Sequence, residues 1–177
     1  MPASRAPERV VWGVEQLAPA PADHVLEIGC GPGYGVALLC HHLTRGSVTA
    51  VDRSAVQVEK ARALNRECLA SGRARIEAVT LAKAPMELGK RFPKVLAINV
   101  NAFWTEPAAS LSSLAALLRR GGRAFLVYEA PSAAGLHQLR IALPRQLSTH
   151  GFSVDEVRVP GAGKSPMLCV VARKPGR

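Results

Sequence analysis

Gly29, Gly31 and Gly33 alternate along "GCGPG", directly after the apolar run "HVLEI" and directly before a stretch that turns amphipathic at Tyr34. Glycine at such a strand-to-helix turn permits positive φ and lets backbone amides come close to a bound molecule. Two carboxylates flank the cluster: Glu27 stands two residues before the first glycine, and Asp52 follows the last by about 20 residues. A diphosphate-binding turn has the spacing G-x-G-x-x-G, whose sixth position is Tyr34 here. Glu27 is also poorly placed for a diphosphate, so the ligand is expected to be cationic or neutral at that point. Asp52 can accept two hydrogen bonds from vicinal ribose hydroxyls, or it is a solvated loop residue or a cap for the next helix. Glu27, the glycines and Asp52 together outline a pocket for an adenosine-like ligand without a pyrophosphate.

Holding these groups at one edge of a sheet requires strands and helices in alternation. Strand-like runs at 24–28, 47–52, 75–80, 94–100 and 121–130 are separated by helix candidates at 34–43, 54–72 and 107–119, with an irregular stretch around "KAPMELG". Ser54 reads as the N-cap and Gly72 as the C-cap of the second helix. After a helix over 133–150 come runs at 152–159 and 166–174, joined by "PGAGKS" with no room for a helix between them. The pattern predicts an α/β fold: a doubly wound, mostly parallel seven-stranded sheet with a C-terminal antiparallel hairpin that adds an antiparallel strand at one edge. "GAGKS" is read as that hairpin's turn, because a phosphate loop would require glycine at Arg158 and a helix after the serine.

One domain over residues 1–177 fits this length, with 1–22 a leader or lid segment around "ERVVWGVEQL". No apolar run nears the roughly 18 residues that span a bilayer, and no signal-like apolar core opens the chain. A soluble, cytoplasmic protein without a membrane partner is expected. Cys30, Cys40, Cys68 and Cys169 form no C-x-x-C pair and no metal-ligand spacing, which predicts reduced thiols and no metal. The net charge of +10 admits nucleic acid as a partner. The bases nevertheless come in ones and twos, without an aromatic-interleaved stripe.

In order and interval, "VLEIGCGPGYG", "VTAVDRS" and "LRRGGRAFLVYEAP" resemble the class I S-adenosylmethionine-dependent methyltransferases, over essentially the whole chain and including the terminal hairpin. The resemblance implies a Rossmann-like methyltransferase fold with S-adenosylmethionine as cofactor. It puts Gly29, Cys30, Gly31 and Gly33 around the methionine part, with Glu27 supporting the amino group. It puts Asp52 on the ribose hydroxyls, Arg53 and Ser54 beside the adenine, and Ala84 and Pro85 at the adenine edge. Two acidic residues common in the family are missing: one shortly after the third strand, where "VTLAKAPMEL" stands, and one before the fourth, where Pro93 stands.

Methyl transfer from a sulfonium is a direct displacement, so alignment is the main task and a dedicated base is optional. The acceptor is expected at the carboxyl end of the fourth strand, in "NVNAFW". Asn99 would contact the cofactor, Asn101 would bind the acceptor through its amide, and Phe103 with Trp104 would form an apolar wall. The alternative is an asparagine pair that satisfies its own loop backbone over core aromatics. "NAFW" also echoes the N-P-P-aromatic signature of amino-group methyltransferases, without its prolines. Trp12 is either a lid residue or a core residue, Tyr128 is a further acceptor contact from the fifth strand, and His137 is kept as a candidate general base. The expected function is methyl transfer to a small molecule. The alternatives are an RNA or protein acceptor, or S-adenosylmethionine binding without turnover.

Overall fold

The computed structural model describes residues 6–161 and 165–176, and its seven strands form one sheet in the order β3-β2-β1-β4-β5-β7-β6. The first five residues of the leader, positions 162–164 of the "PGAGKS" turn and residue 177 lie outside the described residues. The first half of the chain contains α1 (Glu8–Leu17), β1 (His24–Ile28), α2 (Tyr34–His42), β2 (Ser47–Asp52), α3 (Ala55–Leu64), α4 (Arg66–Ala70) and β3 (Ala74–Ala78). Next come α5 (Ala84–Leu88), β4 (Phe92–Ile98), α6 (Ala102–Thr105), α7 (Pro107–Leu117) and β5 (Leu118–Glu129). The end consists of α8 (Ala133–Thr149), β6 (Ser153–Arg158) and β7 (Met167–Arg173).

The strands β3, β2, β1, β4 and β5 pair in parallel, as the alternating pattern predicts, and β7 runs antiparallel to both β5 and β6. The expected antiparallel strand therefore lies one position inside the rim, and β6 forms the rim itself. Residue burial explains the exchange: Met167 to Ala172 are all buried, whereas no residue of β6 is. A continuously apolar strand has to be covered on both sides, and a mixed strand tolerates an edge.

Central strands that are apolar on both faces support two core clusters. Leu26, Val95 and Leu126 pack with Leu111, Leu114 and Leu143 on one face, and Val25, Leu96 and Val127 pack with Trp12, Leu39 and Val58 on the other. Fully burying a leucine of this kind contributes about 1.5–3 kcal/mol.

The leader helix belongs to the second cluster. Trp12 is 6% exposed, and Val14 and Leu17 are buried with it. A Cβ added at Gly13 would lie 2.9 Å from the Ile98 Cδ1, so α1 sits flush on β4 and its neighbour β5. Lys94 fastens the helix end: its Nζ donates to the Ala18 carbonyl at 3.1 Å and pairs with Asp23 at 2.7 Å. Trp12 is therefore a core residue and not the surface of a lid. The expected helix over 54–72 also breaks in two, at Asn65, for a reason that belongs to the site. No helix among the described residues is long and apolar enough to cross a membrane.

Candidate functional site

The chain leaves β1 through a loop stitched to β2. Val51 accepts from the Gly29 amide at 2.8 Å and from the Cys30 amide at 3.2 Å, and Cys30 accepts from the Gly33 amide at 3.0 Å. Gly29, Gly31 and Gly33 all have positive φ, at 72°, 51° and 87°. Gly33 has a second constraint, because an added Cβ would lie 2.8 Å from the Ala61 Cα. Only glycine meets both conditions there.

Asp52 ends β2 and reaches back to this loop. Its Oδ2 accepts from the Gly31 amide at 2.8 Å and its Oδ1 from the Ser54 amide at 2.9 Å. Each oxygen keeps further lone-pair capacity, so the carboxylate is fixed in place and still able to accept from a ligand. The capping alternative is met in a divided form: Asp52 serves the Ser54 amide, and the Ser54 hydroxyl caps α3 by accepting from the Gln57 amide at 3.3 Å.

Asn65 is the residue that the sequence reading missed. It is 3% exposed, and its Nδ2 donates to the Gly33 carbonyl at 3.0 Å and to the Ala61 carbonyl at 2.8 Å. The glycine loop is thus held from below by the break between α3 and α4. The available signal was a lone asparagine inside a helical run, a residue that competes with helix through side-chain bonds to backbone.

Glu27 lies under the first turn of α2, so close that a Cβ added at Gly35 would collide with its carboxyl. It is 3% exposed, and its Oε2 has no hydrogen-bond partner among the described residues. Burial, and secondarily the charge of Asp52, push its pKa up to about 8. An unpartnered buried acceptor costs free energy until a donor reaches it. Cys30 beside it is buried, and burial raises its thiol well above the ordinary range, so it is a neutral wall of the loop and no nucleophile. A cationic amine for Glu27, a diol for Asp52 and backbone amides between them suit the amino-acid and ribose parts of S-adenosylmethionine.

Arg53, the first residue after β2, is exposed. Ala84 is buried in the core at the start of α5, where its amide donates to Thr80 at 3.0 Å. Its methyl therefore serves the core, and Pro85 is its half-buried neighbour.

The carboxyl ends of β4 and β5 are tied to each other. Asn99 has φ 54°, its amide donates to Val127 at 2.8 Å, and its Oδ1 accepts from the Glu129 amide at 2.8 Å. The Asn99 Oδ1 is thus engaged across the strand ends, while the residue itself is exposed. Tyr128 is buried, its hydroxyl donating to the Val100 carbonyl at 2.6 Å, and burial raises its pKa. Tyr128 supports the loop from inside rather than facing an acceptor. Phe103 is fully buried in the same cluster, because "NAFW" winds into the helical turn α6 and points that ring inward. Asn101 and Trp104 remain at the surface, with Trp104 43% exposed. His137 is exposed on α8, in a shallow groove lined by that helix alone.

A family described as a methyltransferase domain matches residues 25–122. The uncharacterized methyltransferase YdaC of Bacillus subtilis is 21% identical over 172 residues, which cover 93% of this chain and 90% of that protein. Magnesium protoporphyrin IX methyltransferase (ChlM) from Synechocystis PCC 6803, solved with S-adenosylmethionine bound, superposes with a TM-score of 0.65 at 24% identity, over 93% of this chain and 76% of its own. The cyclase SpnF superposes with a TM-score of 0.73 at 16% identity, over 94% of this chain and 80% of its own. At such identities the two solved structures speak for the fold.

Proposed function

We propose that this chain, which belongs to the methyltransferase-domain family of S-adenosylmethionine-dependent enzymes, methylates a small-molecule acceptor at the carboxyl end of β4. The observation that supports the donor side best is the orphaned Glu27 oxygen, buried beside a glycine loop to which Asp52 is fastened.

When bound, S-adenosylmethionine supplies a methyl carbon on a sulfonium, open to direct displacement. Glu27 accepts from the ammonium as a carboxylate, releasing to solvent the proton it holds near neutrality. Asp52 holds the ribose hydroxyls with the lone pairs left over from Gly31 and Ser54. Because Asp52 and Asn65 fix the loop before any ligand arrives, alignment requires little reorganisation of the protein. Asn101 offers its amide and Trp104 its ring to the acceptor, backed by the buried Phe103 and Tyr128. No base is assigned, and displacement at a sulfonium does not require one.

A small acceptor is favoured because only α6 and α7 lie between β4 and β5, leaving no inserted element to bind a macromolecule beside the methyl group. The net charge of +10 supports an RNA or protein acceptor as the second reading. A third reading, binding without turnover, rests on the same Glu27, glycine loop and Asp52, which serve a bound cofactor whether or not its methyl group is transferred. A cytoplasmic location fits the four free cysteines.

Parallel calorimetric titrations with S-adenosylmethionine, S-adenosylhomocysteine and NAD test the donor site, and a screen with labelled methyl groups tests the acceptor. Micromolar binding of the first two with label passing to small molecules is the expected result. Binding of NAD alone would remove the donor assignment, and label passing only to RNA or protein would remove the small-molecule acceptor.

A further inference from the structure

The bases that stand in ones and twos along the chain are gathered by the sheet. Lys90 and Arg91 precede β4, Arg119 and Arg120 open β5, and Lys174 follows the end of β7. Because β7 runs antiparallel to β5, all three segments meet at one pole. Phe92 pairs with Leu118 across β4 and β5, and Gly121 and Lys174 join β5 to β7 through a 2.8 Å backbone bond. The Arg119 Nε donates to the Arg91 carbonyl at 3.2 Å. Four of the five side chains are exposed, and no ion pair among the described residues involves any of the five. Lys174 has its pKa lowered by burial first and then by the charges of Arg91 and Arg120.

This pole is the amino edge of the parallel strands, and the glycine loop, Glu27 and Asp52 lie at the carboxyl edge. The two edges have opposite character: carboxylates around the ligand pocket, uncompensated cations at the far end.

We infer that the amino-edge cluster of Lys90, Arg91, Arg119, Arg120 and Lys174 is a docking surface for the phosphate backbone of a nucleic acid, separate from the site of methyl transfer. The pairing of β4 with β5 and of β5 with β7 brings the three basic segments side by side, and arginine suits phosphate through its planar fork. None of the large exposed apolar side chains, Val56, Met86, Trp104, Ile141, Val157 and Val159, lies on these three segments. A lipid surface would therefore find charge here without a group to insert. No exposed aromatic accompanies the cations either, so the contact is to backbone and not to stacked bases.

The test is fluorescence anisotropy with a 20-base-pair duplex and with an RNA hairpin across a salt series, using the full chain. Binding is expected in the micromolar range at about 50 mM salt, with a log–log salt slope of roughly −3 to −4. The triple variant Lys90→Gln, Arg91→Gln, Arg120→Gln, which spares the Arg119 bond to the Arg91 carbonyl, should weaken binding at least tenfold and flatten the slope, while S-adenosylmethionine affinity and melting temperature stay as in the parent. Lys174 is left in place because its Nζ also donates to the Ala115 and Leu118 carbonyls at the end of α7. Absence of nucleic-acid binding, a variant that binds as the parent does, or tighter binding to phosphatidylserine vesicles or polyglutamate would each overturn the assignment.

Discussion

The carboxyl ends of β1 and β2 are built to receive something, whereas those of β4 and β5 are built to hold still. On the first side three residues have positive φ, Asp52 keeps spare acceptor capacity, and a buried Glu27 oxygen has no partner. On the second side Asn99 bonds the Glu129 amide, Tyr128 bonds the Val100 carbonyl, and Phe103 is buried. A pocket for one fixed ligand stores unsatisfied polarity in a rigid frame. The region proposed to face the acceptor satisfies its own polar groups, and Asn101 and Trp104 remain exposed on it.

The contrast breaks most completely at Gly33. Gly33→Ala forces a Cβ into a left-handed conformation and against the Ala61 backbone. Strain of about 1–3 kcal/mol and overpacking of similar size should appear in denaturant unfolding, together with loss of the heat of S-adenosylmethionine binding. A parent-like midpoint and affinity would show that the loop relaxes freely.

Asp52→Ala is next. It should weaken S-adenosylmethionine binding by about 1–3 kcal/mol, since a ribose diol and two loop amides lose their acceptor. Unchanged calorimetric affinity would remove the ribose assignment.

Glu27 sharpens the comparison through pH. Its folded-state pKa of about 8 lies above the ordinary 4.5, so the folded, unliganded chain keeps a proton that the unfolded chain releases. Its contribution to stability is therefore intact below about pH 4.5 and is lost as the pH climbs to about 8. Ligand binding runs the other way, because the ammonium needs the carboxylate. Affinity should rise with pH by up to about tenfold per unit between pH 6 and 8, with proton release visible as a buffer-dependent heat. Glu27→Gln should flatten that profile, and a sloping profile in the variant would assign the proton to another group.

The smallest effect is expected on the closed side. Tyr128→Phe removes one bond to Val100 and should cost about 0.5–1.5 kcal/mol in unfolding, leaving S-adenosylmethionine affinity unchanged. An equal loss of cofactor binding would mean that the two sides are coupled.

These differences track what was legible in the residues alone. The βαβ alternation, the glycine turn and the Asp52 strand end were readable because local periodicity and backbone chemistry set them. Asn65 was not, because its partners Gly33 and Ala61 become neighbours only when α3 packs beside the loop. Phe103 and Tyr128 were read as acceptor contacts because an aromatic near a strand end carries no mark of which way it points. The rank of β7 inside β6 likewise depends on which strand the core covers, which burial shows and spacing does not.

The sequence by itself determined the alternation of strands and helices, the glycine turn after the first strand and the carboxylates on either side of it, because periodicity, φ freedom and the place of a residue along its strand are local properties. The tertiary structure decided which side chains face that turn, lifted the pKa of Glu27 through burial, and drew scattered bases from three segments to one pole. Those outcomes rest on distances between residues far apart in the chain, and such distances exist only once the chain has packed.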